Sequence, residues 1–491
     1  MARPLIGSSI AYVHDKVGWE LVLGLSVAIG LALAIALLPL AWTVLLVLGG
    51  VILFAILVEP RLGLIFLIAA VPFGTIQQVR LGVMNVGLTE ALLVVVTSAW
   101  LMRLAIRREG VPHHITWPPL VWPLVIFLGV LLLSLLVTWS LQYSIKELIK
   151  WLEVLLVYLL VAFGVDGRWA RALVLTIVVT GGLAALHGIY QFLFQVGPEG
   201  FALFDRFMRA YGTFEQPNPY GGYLGLVLPV ALGLAVVAGL GLGHWSCRWR
   251  WFTLAVTGIC AALMFAALVM SWSRGAWLGF GAAVVGMAVA LVVKSGRGAV
   301  LTVILVALVA YALLAGGLAQ VPPSLVQRFS DVVPYLGVSD VRGAEITDAN
   351  FAVLERVAHW QAAWLMWTDH PWLGVGIGNY EAVYPRYALP QWPLPLGHAH
   401  NYYLNIAAET GVVGLGAYLL LWTAALFQTW RAVRRGSGWE LGVALGVLGV
   451  VIHLSVHNLV DDLYVHGMYL HVAVLLGLIA SIPRKQEARL Q

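Results

Sequence analysis

Charge is scarce in this chain. Asp, Glu, Lys and Arg make up 10% of its 491 residues, while 61% are hydrophobic. A soluble domain is about 25% charged and needs that charge to cover its surface. The shortage excludes a soluble globular protein and makes lipid the solvent for most of the chain. Cysteine is scarcer still: Cys247 stands by a basic turn and Cys260 inside an apolar run, so neither is half of a metal motif. The first apolar run continues from Trp19 past Pro39 with no small-residue cleavage site, so it reads as retained helices rather than a cleavable leader. The alternating polarity of barrel strands is absent, and open strand edges are excluded in lipid. There is no clear internal repeat.

What is present is a series of apolar runs near 20–38, 40–58, 86–104, 119–138, 148–164, 170–195, 218–240, 251–270, 275–293, 298–317, 402–430, 440–457 and 464–482, with a shorter one at 62–77. A span needs about 20 residues. The chain therefore reads as an all-α polytopic membrane protein of about 12–14 transmembrane helices. Residues 1–320 hold most of them, 321–400 form a large outer loop, and 401–491 return to the membrane. The formal charge of +5 does not imply nucleic acid, because its cations sit in short clusters between runs. With both termini inside, Arg103, Arg107, Arg108, Arg168, Arg171, Arg248, Arg250, Lys294, Arg297, Arg431, Arg434, Arg435, Arg484 and Lys485 all fall on the cytoplasmic side.

The outer face then receives three polar segments: Gly197 to Pro219, the turn Ser271-Trp-Ser-Arg-Gly275, and the stretch from Val321 to His400. In the last, "FAVLERVAHWQAAWLMWTD" has helical apolar spacing and predicts a helix near the membrane surface, capped by Asp348 or Asn350. Arg274 can hold a phosphate bidentately at the membrane edge, or simply snorkel there. Arg356 and Trp360 share one face of the loop helix, either as an anion clamp or as a surface anchor. Arg206 and Arg209 can add positive charge, and such a clamp neutralises a diphosphate without a metal. His400, where the loop re-enters the membrane, suits a general base, and Asn401 can orient it or hold a sugar. His398 makes an HxH pair, but no carboxylate or cysteine stands nearby at ligand spacing, so no metal is expected. Asn218, between two prolines, is expected to be extended beside a cavity. Glu409 reads as a buried carboxylate paired with backbone or base. Asp461-Asp462 can bind a divalent ion, balance the arginines or form a plain turn.

Four stretches carry a resemblance. They are "GTFEQPNPYGGYL", "SWSRGAWLG", "ERVAHWQAAWLMWTDHPWLGVGIGNY", and His400-Asn401 followed nine residues later by Gly411 and Gly414. In this order the chain resembles the superfamily of O-antigen ligases and Wzy-type polymerases, from Gly212 to Gly414. It departs at Gln216-Pro217 and adds the second imidazole of His398.

The resemblance implies a GT-C-like helical fold in a bacterial inner membrane with a periplasmic active site. It implies transfer of a glycan from an undecaprenyl-pyrophosphate carrier to lipid A–core, to another glycan or to protein. It also implies metal-independent inversion without a cofactor, with His400 as base and Arg274 and Arg356 on the diphosphate. Arg206, Arg209, Asn218, Trp360, His398 and Asn401 are the remaining candidates for substrate contact. A rival from another class is a small-anion transporter like the relatives described as carrying bicarbonate. That class favours inverted repeats and broken helices meeting at mid-membrane.

Overall fold

The computed structural model describes residues 39–74, 76, 78–81, 84–106, 116–203, 206–297, 340–347 and 350–487, with scattered positions in 22–37 and residue 300. The runs at 20–38 and 298–317 and the proposed cap Asp348 lie largely or wholly outside these residues. Two compact units are present, 1–63 with 95–108 and 64–94 with 109–491.

Long apolar segments become helices because lipid offers no partner for backbone N–H and C=O groups. In chain order these are α1 (Leu40–Val58), α2 (Pro60–Ala70), α3 (Leu88–Ile106), α4 (Val121–Ser134), α5 (Leu141–Gly164), α6 (Gly167–Leu193), α7 (Pro217–Gly239), α8 (Cys247–Met270), α9 (Arg274–Lys294), α10 (Phe351–Asp369), the short α11 (Tyr380–Val383), α12 (Tyr402–Arg435), α13 (Gly438–His457) and α14 (Met468–Glu487). Eight helices among the described residues are long and apolar enough to cross a membrane, and three shorter apolar ones accompany them. This is a multi-pass helical membrane protein; against the 12–14 spans expected, eight full-length ones lie among the described residues, and two of the expected runs fall largely or wholly outside those residues. α4 is too short by itself, and charges interrupt α5. Two antiparallel hairpins also depart from the all-helical expectation: β1 (Gln78–Leu81) with β2 (Met84–Gly87), and β3 (Ala202–Leu203) with β4 (Phe207–Met208).

In the smaller unit, Glu59 closes α1 and pairs with Arg103 at 3.0 Å. In the larger unit, α7 is buried along most of its length against α8, α9 and α13. Gly233 meets the backbone of Gly442 and Gly446 on α13, so the two helices approach closely, which is how small residues drive packing in lipid. One end of this bundle is basic: Lys294 Nζ donates to the Arg434 carbonyl at 2.6 Å and Arg250 Nε to that of Ala238 at 2.7 Å. The opposite end gathers the starts of α7, α9 and α12.

α12 is not one span. Gly411 has φ 64° and ψ −166°, which breaks it into two helices. The loop after α10 fills the break: Val375 N donates to the Ala408 carbonyl at 3.0 Å and Val412 N to that of Pro371 at 2.8 Å. A side chain at Gly411 would strike the backbone of Trp372, and one at Gly374 the backbone of Glu409. The Asp-x-Pro-x-x-Gly turn and the Gly-x-x-Gly signature are thus two halves of one contact.

Candidate active site

Four helices at the non-basic end are entered in the same way. Glu215, Trp272, His400 and His466 have φ 60°, 53°, 51° and 51°. Each stands two residues before α7, α9, α12 or α14. The left-handed region costs a non-glycine residue roughly 1–2 kcal/mol, so each must be held in place.

His400 is held from three sides. Trp360 Nε1 donates to its carbonyl at 3.2 Å, its own N–H donates to His398 Nδ1 at 3.1 Å, and the preceding Ala399 N–H donates to Asn405 Oδ1 at 3.0 Å. Its Nδ1 lies 3.6 Å from Asp461 Oδ1, within ion-pair reach but long for a hydrogen bond. Both of its ring nitrogens are buried without a hydrogen-bond partner among the described residues. Burial lowers the His400 pKa below its usual value against the opposing carboxylate of Asp461, so the ring is neutral at neutral pH. Burial works the other way on Asp461, but His400, His398 and Arg356 outweigh it and keep the carboxyl ionised. The pair is therefore a neutral imidazole steadied by a carboxylate.

The helix that supplies Trp360 also supplies Arg356 and His359. The Arg356 guanidinium acts on His400, His457 and Asp461, while its Nε is buried without a partner among the described residues. His359 is buried, its Nδ1 meets Tyr380 Oη at 2.8 Å, and its ring stacks on Tyr384 at 4.6 Å. Burial, then His400 and His398, push its pKa down to about 3. The expected cap of this helix makes no capping bond; Asn350 Oδ1 accepts from Thr347 N at 2.7 Å instead.

Arg274 opens α9. A Cβ on its neighbour Gly275 would lie 2.7 Å from His457, so α9 starts against the end of α13, four residues before Asp461. The Arg356 charge and His400 thus meet at the turn after α13, and the backbone at the start of α9 abuts the end of that helix. Other candidates hold structural positions. Arg209 Nε donates to the Ser271 carbonyl and its Nη2 to Asn218 Oδ1, both at 2.9 Å. The two clip the Arg274 turn to the start of α7. Asn218 is helical rather than extended, because Pro217 and Pro219 sit in the first turn, where a missing N–H breaks no bond. Asn401 Oδ1 caps α12 through Leu404 N at 3.1 Å. Arg206 is exposed, with its guanidinium 5.2 Å over the Phe207 ring.

One feature escaped the sequence reading. Ligand atoms of His398, His400 and Asp461 lie within 4.8 Å of one another and can hold a metal ion. The carboxylate arrives from the α13–α14 turn, so local spacing could not reveal it. Buried Glu409 accepts from Tyr380 N at 3.1 Å and steadies the loop that fills the α12 break; the backbone pairing read from sequence holds.

A family model described as O-antigen ligase matches residues 259–419. The chain contains an O-antigen ligase domain. No curated protein matches it. The O-antigen ligase domain runs from within α8 past the break in α12, so it includes Arg274, Arg356, His398 and His400, while Asp461 lies beyond its end. The match supports an enzymatic role of the O-antigen ligase type.

Proposed function

We propose that this protein is a glycosyltransferase that moves a glycan from an undecaprenyl-pyrophosphate carrier to an acceptor hydroxyl at the periplasmic face. The observation that carries the reading is the buried imidazole of His400, with Asp461 at 3.6 Å and the Arg356 charge acting on both. The acceptor oxygen attacks the anomeric carbon as the carbon–oxygen bond to the diphosphate breaks, inverting that centre. The hydroxyl proton passes to His400 and the electron pair leaves with the diphosphate. Arg356 and Arg274 stabilise the developing charge, which supplies without a metal what a divalent ion would otherwise supply.

Orientation follows from the basic end, which faces the cytoplasm under the positive-inside rule. The transporter reading gains nothing from the broken α12. The 371–375 loop takes up backbone groups freed at the break, whereas a transported ion needs such groups open.

The test is transfer by purified protein in lipid, with a carrier-linked glycan and a panel of lipid A–core, glycan and peptide acceptors. His400→Ala abolishes product while labelled donor still binds. Wild-type transfer by that variant would remove the base assignment, and transfer by no acceptor with the wild-type chain would remove the reaction class.

A further inference from the structure

The basic end of the larger unit carries two kinds of cation. The first kind already has work inside the protein. Lys294 Nζ and Arg250 Nε hold carbonyls at helix ends, Arg250 Nη2 adds that of Gly239 at 3.1 Å, and Arg297 Nη1 donates to the Leu240 carbonyl at 3.2 Å. Cations belong at helix C-termini, where free carbonyls and the dipole are negative.

Arg168, Arg171 and Arg248 are the second kind. They stand at the starts of α6 and α8, where the helix dipole is positive and disfavours them. Neither helix has an acidic residue in its first turn. Asp166 is near in sequence, but its Oδ1 caps α6, accepting from the Arg168 and Trp169 backbone N–H groups at 3.1 and 3.3 Å. All three arginines are exposed, and none makes an ion pair with a carboxylate among the described residues. The positive-inside rule accounts for the sign of this end. It does not account for what lies beneath Arg171.

Beneath it is an aromatic platform. The Arg171 guanidinium reaches from α6 to within 5.8 Å of the centre of the Trp249 ring on α8, inside cation–π range. Trp249 stacks on Phe252 at 5.4 Å and meets Trp439 of α13 at 5.8 Å. The Trp249 indole N–H is buried with no acceptor among the described residues. Phe252 and its neighbour Trp251 are exposed, and such rings mark the level of the membrane interface. A guanidinium fixed at that level, with cations beside it and no carboxylate paired to them, suits a phosphate that arrives from the lipid side.

We propose that the starts of α6 and α8 form a binding site for an anionic phospholipid of the leaflet at this end. Arg168, Arg171 and Arg248 take the phosphate, and the chains lie beside Phe252. A zwitterionic phospholipid brings its own ammonium to the arginines and is held less tightly. The site lies at the opposite end from His400 and is independent of the reaction there.

The experiment is native mass spectrometry of the purified full chain, titrated with phosphatidylglycerol or phosphatidylethanolamine. Phosphatidylglycerol is expected to bind about tenfold more tightly, and Arg171→Gln to weaken it about fivefold, the worth of one basic residue at a charged lipid surface. The control is Arg434→Gln, which removes an exposed cation from the last turn of α12 at the same end; it changes binding less than about twofold, because its charge suits the dipole there. Excess inorganic phosphate leaves the lipid bound. Equal affinity for the two lipids, equal losses in the Arg171 and Arg434 variants, or displacement by inorganic phosphate overturns the site. Should Arg171→Gln not fold, Arg248→Gln on the other helix reads the same site, with the same loss expected and an unchanged affinity overturning it.

Discussion

Two helix entries at one end of the bundle, Trp272 before α9 and His400 before α12, turn through the left-handed region at φ 53° and 51°. At the first, the strained residue is an anchor. The Trp272 ring is buried, 5.5 Å from Phe207 and 5.9 Å from Trp277, and the charged group follows two residues later as Arg274. At the second, the strained residue is itself the proposed base, and neighbours hold it through polar bonds. The same backbone device thus serves two ends. One fixes where a helix begins so that a guanidinium emerges at its first residue, and the other fixes an imidazole directly.

The sharpest break in that comparison is glycine at both positions. His400→Gly relieves the backbone and keeps the fold, yet transfer falls about 10²–10⁴-fold, the usual worth of a general base. Added imidazole restores part of it. Trp272→Gly should do the reverse: thermal stability drops, because deleting a buried Trp costs about 3–5 kcal/mol, while the folded fraction stays active. Calorimetry beside single-turnover rates reads both, and a stable, fully active His400→Gly protein would dissolve the contrast.

Next in size are the guanidiniums. Arg356→Lys and Arg274→Lys keep the charge but lose the planar fork, and each is expected to lower kcat about 10²-fold. Full activity in either would argue against bidentate diphosphate recognition there.

Asp461→Asn has a smaller effect, about tenfold at neutral pH, and it moves the pH profile. His400 works as a base only when neutral, and its pKa lies below the ordinary value. The rate therefore holds down to about pH 6.5, the unperturbed histidine value, and falls only under that. The Asp461 carboxylate raises the His400 pKa, so removing it shifts the acid limb further down. A limb that moves up would reverse the assignment. The smallest expected effect is that of excess chelator, which leaves the rate unchanged. A loss restored by one divalent ion would make His398, His400 and Asp461 a metal centre.

Much of the site was legible because the residues lie in short motifs with few structural reasons to exist in lipid. An arginine at a helix start, an arginine on a loop helix and a histidine at membrane re-entry all stood out against a background of leucine and valine. Misreadings came where a local rule met a long-range partner. Asn218 was read as extended from its prolines and is helical. Asn401, read as orienting the histidine or holding a sugar, has its Oδ1 engaged in capping α12. Asp461 was one of several plain possibilities until the turn after α13 met the His400 turn.

Composition alone determined that this chain is a multi-pass helical membrane protein, because backbone polar groups in lipid have to be satisfied within each segment. The four motifs alone pointed to the O-antigen ligase domain that matches residues 259–419. Only the tertiary structure decided that α12 breaks at Gly411 and that Asp461 faces His400. Each of those depends on atoms far apart in the chain meeting at a few ångströms, and hydropathy and local spacing carry no information about such meetings.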